Sequence, residues 1–169
     1  MELTSFETIT RALNDSQVRY LVVGGLAVVA HGYVRFTADV DLVLALAPEN
    51  IVKAFEALEP LGYHPTVPVT AEQFANPETR RLWIEEKGMT VLNLYSDRFR
   101  GTSVDLFVNI PFNFEDEYDR ALSGELVPGL TVRFVSLETL ITMKERVGRP
   151  QDLLDVEHLR MILAEREKQ

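Results

Sequence analysis

The sequence predicts an α/β (α+β) fold, and three observations carry that expectation. Apolar strands and amphipathic helices alternate between residues 18 and 62, two β-rich runs follow in the middle of the chain, and two helical stripes close it. The most informative stretch is Leu21 to Leu46, where a strand enters Gly24-Gly25 and the next strand carries Asp39 and Asp41 among Val40, Leu42, Val43 and Leu44.

The elements follow in order. Thr4-Ser5-Phe6-Glu7 has the pattern of a capping box, and Phe6, Ile9 and Leu13 share one face of a first helix. Val18 to Val23 reads as a short strand ending at the glycine pair, where the chain can turn sharply. Leu26, Val29, Ala30 and Tyr33 then keep helical spacing, so a short helix starts almost at the glycines. Asp39 to Ala45 is the second strand. Pro48-Glu49-Asn50 opens a helix that turns Ile51, Phe55 and Leu58 inward and closes near Gly62.

Thr70 to Lys87 contains helix-start signals at Thr70 and Asn76-Pro77 and ends at Gly88, which predicts one broken helix or two short ones. Met89–Tyr95 and Ser103–Ile110 read as a hairpin, with Ser103, Asp105 and Phe107 on one face of its second strand. Phe114 to Leu122 reads as a short acidic helix with a solvated face, and Leu130 to Val135 as a further strand. Ser136 caps a helix with Leu137, Leu140, Ile141 and Val147 as its stripe, ending at Gly148. Lys144 falls on that same stripe, so its ammonium either snorkels out or meets an anion at the edge of the core. The last helix, Gln151 to about Glu167, packs through Leu153, Leu154, Val156, Leu159, Ile162 and Leu163. Asp152 and Asp155 lie one turn apart on it and are expected to pair with Lys144, Arg146 or Arg149.

Composition limits the functional classes. A chain of 169 residues with 46% hydrophobic content fits one globular domain: a core over residues 1–135 and a helical segment over 136–169 packed on it. It has no cysteine, so disulfides and thiolate metal sites are excluded, as suits a reducing cytoplasm. Gly24, Gly25, His31 and Arg35 break the apolar stretch after Tyr20, and no signal peptide is visible, so no membrane association is expected. A net charge of -9 and a pI near 4.8 oppose broad binding to nucleic acid, whose affinity comes from cationic contacts to phosphate. Arg80, Arg81, Lys87, Arg98 and Arg100 are too few to constitute an RNA patch, though they could border one.

Strand geometry sharpens the acidic pair. Alternate residues share a face, so Asp39 and Asp41 point the same way, about 6 to 7 Å apart along the backbone, while Val40 and Leu42 point into the core. Half-buried carboxylates need a cation or dense hydrogen-bond donors, and two oxygen ligands from one strand suit a hard ion such as Mg²⁺. A solvated strand end, where the acids only keep an edge soluble, is the competing reading. The first amides of the helix after Gly24-Gly25 would carry the positive end of its dipole, a natural place for phosphate; a plain strand-to-helix turn is the alternative. With Asp105 as a third acid on a later strand, the parts match metal-dependent nucleotidyl transfer, in which backbone amides hold phosphate and carboxylates hold the divalent metals bridging it.

These motifs resemble the minimal nucleotidyltransferases of the polymerase β superfamily. The pattern reads Val23-Gly24-Gly25, a thirteen-residue spacer and Asp39-Val40-Asp41-Leu42, with the third acid in Val104-Asp105-Leu106. Within that superfamily the run from His31 to Asp39 and the late run KERVGRPQDLLD, Lys144 to Asp155, are similar to bacterial AbiEii-type toxins. The resemblance implies a small mixed sheet of the nucleotidyltransferase type, a nucleoside triphosphate substrate, and Mg²⁺ or Mn²⁺ held by Asp39, Asp41 and Asp105. Asp105 would also activate the acceptor. Gly24 and Gly25 would pass close to the triphosphate and Lys144 would approach phosphate. Arg35 and Thr37 would bind phosphate or brace the loop that precedes the acids. Many members carry Ser after the first glycine; Gly25 stands there instead, so that hydroxyl is absent. His31 is expected to be packed rather than liganding, and Trp83 and Phe36 are either core residues or base-stacking ones.

The acceptor is open between an RNA end, a protein and a small molecule, and an antitoxin partner is implied by the resemblance alone. Two other classes stand beside the enzyme: a catalytically weak nucleotide-binding or partner-binding module on the same fold, and an unrelated α/β domain with structural acids.

Overall fold

The computed structural model describes residues 3–168. Helix α1 (Leu3–Asp15) leads through strand β1 (Tyr20–Val22) into α2 (Gly24–His31), β2 (Val40–Leu44) and α3 (Pro48–Leu58). A 3₁₀ turn, β3 (Tyr63–Pro65), α4 (Ala71–Ala75), α5 (Pro77–Lys87), β4 (Val91–Ser96) and β5 (Val104–Phe107) follow. The chain ends with α6 (Phe114–Arg120), β6 (Leu122–Val127), β7 (Leu130–Phe134), α7 (Leu137–Val147) and α8 (Pro150–Arg166).

The strands form one mixed sheet in the order β3-β4-β5-β2-β1-β7-β6. β2 runs antiparallel to β1 and parallel to β5, and β7 runs parallel to β1. The predicted hairpin is the antiparallel pair of β4 with β5, and β6 with β7 forms a second one at the sheet's edge. The central strands β1, β2 and β5 are rich in apolar residues, and Leu21, Val22, Val40, Leu42, Val104 and Leu106 are fully buried.

Several elements differ from their sequence reading for identifiable reasons. α1 buries Phe6, Ile9 and Leu13 as expected, but it already runs at Leu3, so Thr4 lies inside the helix rather than at its cap. Among the described residues a capping box forms at α4, where the Thr70 hydroxyl accepts from the Gln73 amide at 3.1 Å and the Gln73 side chain accepts from the Thr70 amide at 2.9 Å. α2 buries Leu26, Ala27, Val28 and His31 and leaves Val29 and Ala30 half-buried. It is apolar nearly all round and packs against β2, α7 and α8 together, so periodicity does not single out one inner face.

α6 is not merely a solvated face. Glu117 is fully buried and accepts hydrogen bonds from the Ser136 amide at 2.6 Å, the Thr139 hydroxyl at 2.8 Å and Arg120 at 2.7 Å. These donors tie α6 to the start of α7. Strand β6 was hidden from the sequence reading by Gly124 and Glu125, which an edge strand tolerates. In α8 the assignment inverts: Leu153 and Leu154 are exposed, while Asp152 and Asp155 are buried beside Val156 and Leu159. Val147 on α7 is likewise exposed, and the buried residue of that turn is Lys144. Among the described residues no helix is long and apolar enough to cross a membrane.

Candidate active site

Burial of Val40 and Leu42 turns Asp39 and Asp41 away from the core, as alternation requires. The parallel pairing of β2 with β5 then sets Val40 against Val104, Asp41 against Asp105 and Leu42 against Leu106. Neighbouring strands lie about 4.8 Å apart, so the Asp41 and Asp105 carboxylates stand side by side. The polypeptide separates them by sixty-four positions, and only the sheet brings them together.

α2 begins in front of these acids. Its cap residue, Val23, offers no side-chain acceptor to the first amides of the helix. Gly24 adopts φ +64°, and a β-carbon built on it would stand 1.9 Å from Asp41 Oδ2. Only glycine permits that approach. The Gly25 amide hydrogen-bonds the Asp41 carboxylate. On the other side of Gly25, a β-carbon would stand 2.5 Å from Thr37 Oγ1 and 3.1 Å from an Arg35 guanidinium nitrogen, so the loop carrying Arg35 and Thr37 lies directly on the turn.

The charges are poorly compensated. Burial, then repulsion from Asp105 and Asp39, pushes the Asp41 carboxyl up to about 6 against the opposing influence of Lys144 and the Gly25 amide. Burial also raises Asp105, with Asp39 adding to it and a 2.6 Å hydrogen bond from Asn93 holding it back. Asp39 is exposed and accepts from the Ser103 hydroxyl at 2.7 Å. Among the described residues no three His, Cys, Asp or Glu side chains converge as a metal cage. The donor set consists of hard oxygens carrying surplus negative charge, a chemistry that suits Mg²⁺ or Mn²⁺.

A cavity of about 720 Å³ opens over this group and is lined by all eight sequence-predicted site residues: Gly24, Gly25, Arg35, Thr37, Asp39, Asp41, Asp105 and Lys144. Lys144 does not project freely into it. Its ammonium is buried and lies 2.9 Å from Asp152 and 2.7 Å from Asp155, which answers its place on an apolar stripe. Arg149 pairs with Asp152 at 2.7 Å, as the sequence reading allowed. Arg35 donates to Asp155 at 2.9 Å, a contact across 120 positions that no local pattern announces.

Other residues resolve as follows. His31 is buried outside the cavity, its Nε2 2.8 Å from the Val135 carbonyl, and burial lowers its pKa. Trp83 packs against Phe74, whereas Phe36 stands 80% exposed at the cavity. Arg80 is buried and donates to the Phe74 carbonyl at 2.6 Å. The cations at the cavity are instead Arg35, Lys144, Arg146 and Arg149. Sequence reasoning missed Asn93 and Ser103 as supports of the acids. The predicted hairpin contained the signal for Asn93, which sits opposite Asp105 in the register of β4 with β5.

A mixed sheet with paired acids beside a glycine-led helix defines a nucleotidyltransferase-type protein. The chain belongs to the family described as nucleotidyltransferase of unknown function (DUF6036), which matches residues 3–164. The fold is similar to that of ANT(2")-Ia in complex with adenylyl-2"-tobramycin, at 16% identity over 98% of this chain and 91% of that one, with a TM-score of 0.58. It is also similar to a putative nucleotidyltransferase (TM1012) from Thermotoga maritima, at 16% identity, 96% and 92% coverage and a TM-score of 0.55. A third similar structure is the lincosamide antibiotic adenylyltransferase LnuA, lincomycin-bound, at 16% identity, 88% and 90% coverage and a TM-score of 0.54. Comparison with curated protein sequences gives no match.

Proposed function

We propose that this chain transfers a nucleoside monophosphate from a nucleoside triphosphate to an acceptor hydroxyl and releases pyrophosphate. The observation that carries the proposal is the side-by-side placement of Asp41 and Asp105 in front of the first turn of α2, inside one cavity. In this reaction the acceptor oxygen bonds to the α-phosphorus, the bond from that phosphorus to the bridging oxygen breaks, and pyrophosphate departs with the electron pair.

Each part of the site has a task in it. The first turn of α2 and the cations Arg35 and Arg149 hold the phosphates and keep the leaving group oriented. Asp105, side by side with Asp41 and held by the Asn93 amide at 2.6 Å, takes the hydroxyl proton. Phe36 offers its exposed ring to the nucleobase. Asp39, Asp41 and Asp105 would hold Mg²⁺ or Mn²⁺, which supplies neutralisation of the triphosphate charge.

A small-molecule acceptor is the preferred case, because a cavity of about 720 Å³ has the size of small-ligand sites and two of the similar structures carry an adenylylated antibiotic or an antibiotic. The late run KERVGRPQDLLD, similar to that of AbiEii-type proteins, extends the proposal to a cytoplasmic toxin restrained by an antitoxin. Growth arrest on expression that Asp41→Asn abolishes is the result expected for it.

The second reading, a nucleotide-binding module with weak catalysis, is favoured by one observation: each acid is engaged by a neutral donor rather than converging on a common point. Incubation with Mg²⁺, each α-labelled nucleoside triphosphate and separate pools of small molecules, RNA and protein decides between them. Label transfer that disappears in Asp105→Asn supports the enzyme. Metal-dependent nucleotide binding without pyrophosphate release supports the module, and equal labelling by wild type and variant removes the enzyme reading.

A further inference from the structure

Asp155 is fully buried on α8 and does not line the cavity, yet it touches two of the cations that do. It receives Lys144 Nζ at 2.7 Å and the Arg35 guanidinium at 2.9 Å, with Gln151 adding a hydrogen bond at 3.1 Å. The two cations depend on it unequally. Lys144 also has Asp152, whereas Asp155 is the one carboxylate paired with Arg35 among the described residues.

The guanidinium geometry gives this pairing a purpose. Arg35 has five N–H donors in a rigid fork. Nη1 donates to the Phe36 carbonyl at 2.8 Å, Nη2 donates to Asp155 Oδ2, and Nε lies 2.9 Å from Asp155 Oδ1. Each terminal nitrogen therefore keeps one N–H unused, and Nη2 sits 3.1 Å from the point where a β-carbon on Gly25 would stand. The unused Nη2 donor is thereby held at the start of α2, beside a Thr37 hydroxyl that also lies against the turn.

We propose that Asp155 is a positioning residue for phosphate recognition: it fixes the Arg35 guanidinium against the Gly24-Gly25 turn so that its free Nη2 N–H faces the phosphates of the substrate. The inference rests on the reading of this cavity as a triphosphate site and names the residue that preorganises it. Asp155 itself touches no substrate. Its influence passes through Arg35, and holding the fork in place in the empty site lowers the ordering cost of binding.

Binding of inorganic tripolyphosphate, measured by calorimetry on the full chain, tests this without requiring turnover. Asp155→Asn is expected to weaken binding roughly tenfold, and to weaken it far less when Arg35→Gln is already present, since groups that act through one another are not additive. Arg35→Lys keeps the charge but loses the fork, and is expected to weaken binding to a similar degree while still pairing with Asp155. Glu117→Gln serves as a control, because it removes a buried carboxylate away from the cavity and should leave affinity unchanged. Wild-type affinity in Asp155→Asn, wild-type affinity in Arg35→Lys, or full additivity of Asp155→Asn with Arg35→Gln would each overturn the inference and leave the site reading intact. Failure of the wild type to bind either tripolyphosphate or any nucleoside triphosphate would overturn both.

Discussion

Gly24 and Asp41 occupy the same small volume: a β-carbon on residue 24 would fall 1.9 Å from the Asp41 carboxylate, on a backbone at φ +64°. Gly24→Ala therefore forces either the helix start or the acid to move. The left-handed backbone alone costs about 1 to 2 kcal/mol, and the clash adds to it. Thermal unfolding should show a loss of more than about 2 kcal/mol, and nucleotide transfer should fall below detection because the acid is displaced.

Asp41 is held at the expense of stability. Its carboxyl is raised to about 6 from 3.8, so the folded chain keeps this proton to higher pH than the unfolded chain does. The folded state loses stability as pH rises from about 4 through 6, and at pH 7 the penalty reaches up to about 3 kcal/mol. Asp41→Asn should thus melt higher than wild type at pH 7 to 8, with the gain disappearing below about pH 4, while transfer activity is lost. A variant that melts lower than wild type at pH 8 would contradict this.

Glu117 behaves in the opposite sense. Burial pushes its pKa up, but hydrogen bonds from the Ser136 amide, the Thr139 and Ser136 hydroxyls and Arg120 outweigh it and hold the group below its ordinary 4.5. Its contribution is present above that value and lost as pH falls through the depressed one. Glu117→Gln should cost about 1 to 3 kcal/mol at pH 7 in denaturant unfolding, with the difference shrinking in acid and transfer activity unchanged.

Phe36 separates binding from folding. With 80% of its surface exposed at the cavity, Phe36→Ala should leave stability within about 0.5 kcal/mol. Loss of a base-stacking face is worth about 1 to 3 kcal/mol, so the nucleotide KM should rise roughly 5- to 150-fold with little change in kcat. An unchanged KM would place the base elsewhere.

The sequence made the glycine turn, the D-x-D strand and the Asp105 strand legible because all three are local patterns: a turn that needs glycine, and acids at alternating positions within apolar runs. What it could not show was long-range partnership. Helical periodicity placed Leu153 and Leu154 in the core, yet α8 turns Asp152 and Asp155 inward because Lys144, Arg149 and Arg35 await them. Spacing ranks residues by hydrophobicity, and buried ion pairs reverse that ranking. β6 escaped for a related reason, since an edge strand needs only one paired side and so tolerates Gly124 and Glu125.

The reach from Arg35 to Asp155 also has a temporal meaning. Both acid-bearing strands, the glycine turn and the loop of Arg35 are synthesised before residue 108, but the carboxylate that steadies Arg35 lies on α8. Most of the sheet can form while the loop that carries Arg35 stays unanchored. The Arg35 contact therefore forms only once α8 has docked on the sheet.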